Sequence, residues 1–266
     1  MGPPNLPRQD FRSPRLYVAD ALKPGAEVML DKPQEHYLRN VLRLNAGDTV
    51  LAFNGRDGEW RTTLATSGKH VALSPTEQTR PQTEPLDLHY LFAPLKHERL
   101  DYMVQKAVEM GVSKLQPVLT RHTQVQRVNL GRMRANAIEA AEQCGMLSIP
   151  EIAEPMTFSH ALSARNTDRL LVFCDEDAEV ADPVVALAAA QPVAGALLPL
   201  TMTASDSPQR LALLIGPEGG FAEEERAALI DLPNIVRLSL GPRILRADTA
   251  AVAALALIQS VLGDWR

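Results

Sequence analysis

The period of the apolar residues changes near residue 86. Before it, short apolar runs alternate with polar positions and end in tight turns, the pattern of strands. Leu16–Val18, Val28–Leu30, Thr49–Phe53, Glu59–Ala65 and His70–Leu73 read as strands, with Asn54-Gly55, Asp57-Gly58 and Ser67-Gly68 as turns. One helix interrupts them, with His36, Arg39 and Arg43 on one face and Leu38, Val41 and Leu42 on the other. Residues 1–74 therefore read as a small β-barrel-like module. Residues 75–85 carry Pro75, Pro81 and Pro85 with few apolar positions, and read as a linker.

From Leu86 strands alternate with helices, which predicts an α/β sheet over 86–266. Leu86–Phe92, Lys114–Leu119, Leu170–Cys174, Arg210–Ile215 and Ile235–Leu238 read as strands. Leu100–Met110 reads as a helix capped by Gly111, and Asn129 caps a helix running to Gln143 before Gly145. Residues 191–208 read as a flexible excursion, and Ala247–Leu262 as an apolar, Ala-rich closing helix. No internal repeat is visible.

Composition narrows the class. The chain has 266 residues, 45% of them hydrophobic, enough for one large domain or two ordinary ones. Two cysteines, Cys144 and Cys174, give no disulfide framework, and the six histidines show no paired metal spacing. With no apolar signal core after Met1 and no membrane-length apolar run, a reducing cytoplasm is the expected setting. The net charge of −5 is unevenly spread. Residues 1–134 hold 19 Lys and Arg against 14 Asp and Glu, and the remainder 8 against 18. Such asymmetry favours a nucleic-acid-facing first half, although two soluble surfaces would also satisfy it.

Candidate chemistry concentrates in two glycine turns. Ile215-Gly216-Pro217-Glu218-Gly219-Gly220-Phe221 follows an apolar run, and Leu240-Gly241-Pro242-Arg243 follows the next. In open α/β sheets ligands bind at the carboxyl ends of strands, and glycines let backbone approach closely. No Gly-Lys-Ser/Thr follows, Glu218 would repel a phosphate, and the Gly-x-Gly-x-x-Gly order is missing. The loop therefore suits a ligand read by backbone and apolar contacts.

These motifs carry a resemblance. Leu214–Phe221 together with Leu238–Ala250 closely resembles the RsmE family. Its members are bacterial methyltransferases of the knotted SPOUT class that methylate N3 of a uridine in small-subunit ribosomal RNA. Lys106–Val112, Glu142–Gly145, Asn40–Leu44, Gly47-Asp48 and Phe53–Gly55 extend the likeness over most of the chain. Two departures stand out: Ala247-Asp248 where the family usually has Thr-Glu, and Met146 where it usually has Arg.

The resemblance implies a SPOUT α/β domain with a trefoil knot, preceded by a PUA-like β-barrel domain. It also implies S-adenosylmethionine as cofactor, no metal, a homodimer and ribosomal RNA as partner. The cofactor would lie against Cys174, Asp175, Ile215, Gly216, Pro217, Gly219, Gly220, Leu238, Leu240, Gly241 and Leu245. Routine strand-to-helix turns are the plainer reading of any one of these.

N3 of uracil must lose a proton before it attacks, so positioning and anion stabilisation are needed. Arg246 is the candidate for holding the target, or else a surface arginine paired with Asp248 or Glu218. Glu218 and Asp248 are candidate proton acceptors, with helix capping and a tie to Arg246 as alternatives. Arg39, Arg43, Lys96, Arg121 and Arg243 are candidate RNA contacts, while Glu109 and Gln143 suggest support of the site or of a dimer. A tRNA ribose 2′-O-methyltransferase of the same class is disfavoured, because Arg243–Arg246 stands where that branch has Ser-Leu-Asn. A noncatalytic assembly factor is disfavoured by the intact cofactor loop.

Overall fold

The computed structural model describes residues 10, 12–67, 70–125, 127–180, 182–190 and 209–265. The expected excursion at 191–208 and the glycine of the Ser67-Gly68 turn lie outside them. The chain divides into two compact units. One comprises Met1–Glu84 with Ala141–Ile149, the other Pro85–Ala140 with Pro150–Arg266.

The first unit is a five-stranded sheet of β1 (Arg15–Tyr17), β2 (Val28–Met29), β3 (Thr49–Phe53), β4 (Glu59–Ser67) and β5 (His70–Arg80), in the order β1-β3-β4-β5-β2. β1 runs parallel to β3, and the other pairs are antiparallel. Alternating residues such as Leu16, Val28, Val50, Leu64 and Val71 share one core with Leu38.

The expected linker is strand for much of its length, because β5 continues through Pro75 to Arg80. Proline is tolerated there for a local reason. β2 covers only Ala72 and Leu73 of β5, leaving an open edge that needs no ladder donor from Pro75.

Asp31 and Gln34 form a capping box that starts α1 (Lys32–His36). The chain then widens over Tyr37–Val41, where the N–H of Leu42 donates to the carbonyl of Tyr37 at 2.9 Å. This widening breaks the expected helical face. Val41 is 58% exposed, and only Leu38 of this segment is buried. Arg43 lies beyond the helix with φ +58°, a left-handed conformation that costs a side-chain-bearing residue about 1 kcal/mol.

The last turn of the helix that ends at Cys144 belongs to this unit. There Glu142 accepts from the Tyr17 N–H at 2.9 Å, and Arg80 donates to the Gly145 carbonyl at 2.9 Å. Arg15 and Glu59 form a buried pair at 3.0 Å.

The second unit is a parallel sheet. It contains β6 (Leu88–Phe92), β7 (Lys114–Leu119), β8 (Glu151–Ile152), β9 (Met156–Thr157), β10 (Leu170–Cys174), β11 (Leu211–Ile215) and β12 (Ile235–Leu238). The order is β12-β10-β11-β6-β7-β8, with β9 pairing β7. Its helices are α2 (His97–Glu109), α3 (Leu130–Cys144), α4 (Phe158–Ser163), α5 (Pro183–Ala189), α6 (Glu223–Ile230) and α7 (Ala247–Val261). β11 is buried at every position, as a strand covered on both faces must be.

Asn129 caps α3 as expected, accepting from the Arg132 N–H at 3.0 Å, and Gly111 and Gly145 take positive φ after α2 and α3. No described helix is long and apolar enough to cross a membrane.

Candidate active site

Because every pairing in the second unit is parallel, its strands end on one edge. Cys174, Ile215 and Leu238 close the neighbouring strands β10, β11 and β12 there. The expected cofactor residues are thereby brought to three adjacent loops.

The loop after β11 is shaped by its own glycines. The Pro217 carbonyl accepts from the Gly220 N–H at 2.9 Å, closing a turn in which Gly220 has φ +73°. A Cβ on Gly216 would stand 2.9 Å from the Phe221 ring, which packs against Phe158 and Phe173. Gly219 is less constrained, since a Cβ there would meet His122 at an ordinary 3.5 Å. The carbonyl of Ile215 accepts from Ala93 at 3.0 Å and that of Leu238 from Asp175 at 3.1 Å.

The loop after β12 is the opposite. Gly241–Ile244 is exposed, and no hydrogen bond engages its backbone among the described residues. Leu240 and Leu245 are half-buried on either side. Open amide groups between apolar flanks are the donor set that a ligand read by backbone requires.

Three arginines lock this edge. Arg99, in the first turn of α2, grips Asp248 with Nε at 3.0 Å and Nη2 at 3.1 Å. Its Nη1 reaches Glu218 at 2.9 Å. One guanidinium thus ties the loop after β11 to the first turn of α7. The hydrogen bonds from Arg99 hold the Asp248 carboxyl below its usual pKa. The aspartate reaches this partner from the first turn of α7.

Arg226 and Arg237 do the same for the loop after β10. Asp175 accepts from Arg226 Nε and Nη2 at 3.1 Å each, from Arg237 Nε at 2.8 Å, and from the Asp177 N–H at 3.2 Å. Burial alone would raise the Asp175 pKa, but these donors outweigh it and the net shift is downward. Cys174 next to it has its thiol pushed up to about 12, by burial and then by the Asp175 charge, so it stays neutral.

Arg246 is the N-cap residue of α7, and it and Arg243 are exposed. Among the described residues neither pairs with Glu218 or Asp248; Arg99 takes both. Sequence reasoning missed Arg99 in this role. Its signal was its place in the first turn of the helix after β6, at the carboxyl edge. Lys96 is exposed at the N-cap of α2.

Arg121 is drawn toward α6. Its N–H donates to Glu225 at 2.8 Å, and its guanidinium lies 3.5 Å from Glu224. His122 Nδ1 donates to the Gly220 carbonyl at 3.1 Å, so the loop after β7 braces the loop after β11. Glu109 pairs with Lys106 at 2.7 Å. Arg39, Arg43 and Gln143 are exposed residues of the first unit.

Residues 82–259 match the family described as RNA methyltransferase domain, and residues 30–74 match the RNA methyltransferase PUA domain. The chain is 32% identical to ribosomal RNA small subunit methyltransferase E of Synechocystis, over 93% of this chain and 78% of that protein. It is 29% identical to the protein of that name from Rickettsia conorii, over 92% and 94%. Among solved structures, a methyltransferase from Legionella pneumophila in complex with SAM superposes with a TM-score of 0.75 at 28% identity, over 94% and 98% of the two chains. Ribosomal RNA small subunit methyltransferase E from Neisseria gonorrhoeae, bound to S-adenosyl methionine, gives 0.76 at 25% identity, over 96% and 100%.

Proposed function

The chain belongs to the RsmE family of RNA methyltransferases, and from that premise we propose that it methylates N3 of a uridine in small-subunit ribosomal RNA, using S-adenosylmethionine. The observation that carries the reading is the open backbone of Gly241–Ile244, unbonded among the described residues, at the same sheet edge as the tightly turned Gly216–Gly220 loop. These are the groups a SAM molecule read by backbone contacts would use. The residues present fit that cofactor, with Ile215, Leu238, Leu240 and Leu245 as its apolar walls. The trefoil knot belongs to the same reading, as a feature of the family the chain belongs to.

When bound, the cofactor supplies a methyl group already activated by a sulfonium, so the protein's own work is on the uracil. Arg246 projects from the N-cap of α7, where a guanidinium can hold a phosphate or stabilise the uracil anion. Glu218 and Asp248 are both engaged by Arg99. In this reading they position loop and helix, and the N3 proton leaves to solvent. Lys96, Arg121 and Arg243 are the RNA contacts of this unit, and Arg39 and Arg43 those of the first. The protein acts in the cytoplasm as a homodimer, a state consistent with the exposed Val184 and Val185 of α5.

The test is nucleoside mass spectrometry of small-subunit RNA treated with protein and SAM, as free RNA and as assembled subunits. N3-methyluridine in either substrate is the expected product. A ribose-methylated nucleoside, or no product from both, would contradict the proposal.

A further inference from the structure

The loop after β7 brings an imidazole to the carboxyl edge of the sheet, beside the loop after β11. Its turn is fastened from both sides. The Thr123 N–H donates to the Thr120 carbonyl at 3.1 Å, and the Thr120 N–H donates to Thr123 Oγ1 at 2.9 Å. The Arg121 N–H donates to Glu225 of α6 at 2.8 Å. His122 projects from the turn so fixed and packs on Gly219, where a Cβ would stand 3.5 Å from its Cβ and 3.9 Å from its Nδ1.

The hydrogen bond it makes settles its tautomer. A carbonyl can only accept, so the 3.1 Å contact between Nδ1 and the Gly220 carbonyl places the proton on Nδ1. In a neutral imidazole the other nitrogen then carries the lone pair. His122 is exposed, and its Nε2 has no partner among the described residues. The loop after β11 thus holds one face of the ring as a donor and leaves the other as an acceptor.

The proposed reaction needs such an acceptor, because the proton on N3 of uracil must leave before N3 can attack. The carboxylates brought to this edge are spent on cations. Glu218 and Asp248 hold Arg99, and Asp175 holds Arg226 and Arg237. Their donors make them weaker bases, as the lowered pKa values of Asp175 and Asp248 show. The charged groups that the neighbouring elements present to the imidazole are also engaged. Arg121 of its own turn meets Glu224 and Glu225 of α6, and Glu218 of the loop after β11 meets Arg99.

We propose that His122 is a catalytic residue, its Nε2 accepting the N3 proton of the target uracil. The N3–H bond breaks, the proton moves to Nε2, and the electron pair stays on the ring, where Arg246 can stabilise it. That pair forms the new bond from N3 to the methyl carbon, whose bond to sulfur breaks with both electrons left on sulfur. The imidazolium then passes its proton to water, which the exposure of His122 permits. The inference rests on the methylation reading above.

His122→Asn separates this role from bracing, because its amide nitrogen can replace Nδ1 as donor to the Gly220 carbonyl while nothing replaces Nε2. The variant should keep the melting temperature and SAM affinity of the wild type. Its single-turnover rate near neutral pH should fall about a hundredfold, the lower end of what a positioned base contributes. The wild-type rate should rise with pH as imidazole becomes neutral and then level off. The deficit of His122→Asn should shrink in alkali, where the N3 proton leaves without help. In the free protein, nitrogen NMR of labelled histidine should find the neutral His122 ring protonated on Nδ1 and bare on Nε2. A wild-type rate in His122→Asn, a deficit that does not change with pH, or a ring protonated on Nε2 would each overturn the proposal. Wild-type protein that yields no N3-methyluridine would instead overturn the proposed reaction, and the role of His122 with it.

Discussion

The two units constrain the surroundings of their exposed arginines in different ways. At the edge of the parallel sheet, ion pairs do it: Arg99 joins Glu218 to Asp248, and Arg226 and Arg237 converge on Asp175. Those ties set the loops and leave Arg243 and Arg246 exposed beside them. In the first unit no comparable cluster surrounds Arg43 among the described residues, and the backbone itself carries the constraint, through a widened turn and a positive φ. A guanidinium that stabilises a transition state needs a preorganised surrounding, which paired charges provide. One that grips a phosphate needs mainly reach, for which a strained turn suffices. On the proposed function, the chemistry falls to the second unit and part of RNA recognition to the first.

Removing a free arginine at the sheet edge should have the largest effect. Arg246→Ala is expected to slow methyl transfer about a hundredfold, the scale of losing one preorganised donor. Its melting temperature and SAM affinity should hold, because the side chain is exposed, and Lys should rescue only in part. Single-turnover assays and calorimetry check this.

Breaking a tie should act on stability instead. Asp175→Asn strands two partly solvated guanidiniums beside a side chain that is 4% exposed, and should cost about 2 kcal/mol in denaturant unfolding. An unchanged midpoint would show that the cluster is not a brace.

The tie at Glu218 is more exposed and should matter less. Glu218→Gln and Arg99→Ala are each expected to weaken SAM binding about tenfold, with kcat at saturating cofactor little changed, since the loop is then held less firmly. Calorimetry showing wild-type affinity in both variants would confine Arg99 to a structural role.

The smallest effect concerns acid. Asp175 and Asp248 have depressed pKa values, so their contribution is fully present above the unfolded carboxylate value of about 4 and is lost as pH falls through the folded values below it. Asp248→Asn should therefore lower the melting temperature slightly near neutrality and flatten its further fall below about pH 4.

Much of this was legible in the sequence where a local rule decided it. β3, β7, β10 and β12 have the bounds that alternation and apolar runs predict, and Asn129 and Gly111 act as their residue types require. β8 and β9 are too short to show a period. The strand through Pro75 was hidden because proline normally excludes a strand, and only the open edge beyond β2 permits it. The widened turn was hidden because Tyr37–Leu42 carries an ordinary helical pattern. At the site, the glycine loops were legible as motifs. Arg99 was not, because it meets partners 119 and 149 residues away and no spacing rule reaches that far. Of the five net positive charges of residues 1–134, four lie in 85–134, because the compact units do not divide the chain at its middle.

The most direct test of the division between units is single-turnover methyl transfer measured against RNA concentration for Arg246→Ala and Arg43→Gly side by side. Arg246→Ala should lower the rate constant at saturating RNA about a hundredfold while keeping the half-saturating concentration. Arg43→Gly should raise the half-saturating concentration about tenfold and reach the wild-type rate constant at saturation. The reverse pattern, or a lowered saturating rate in Arg43→Gly with RNA affinity unchanged, would contradict the assignment of chemistry to one unit and recognition to the other.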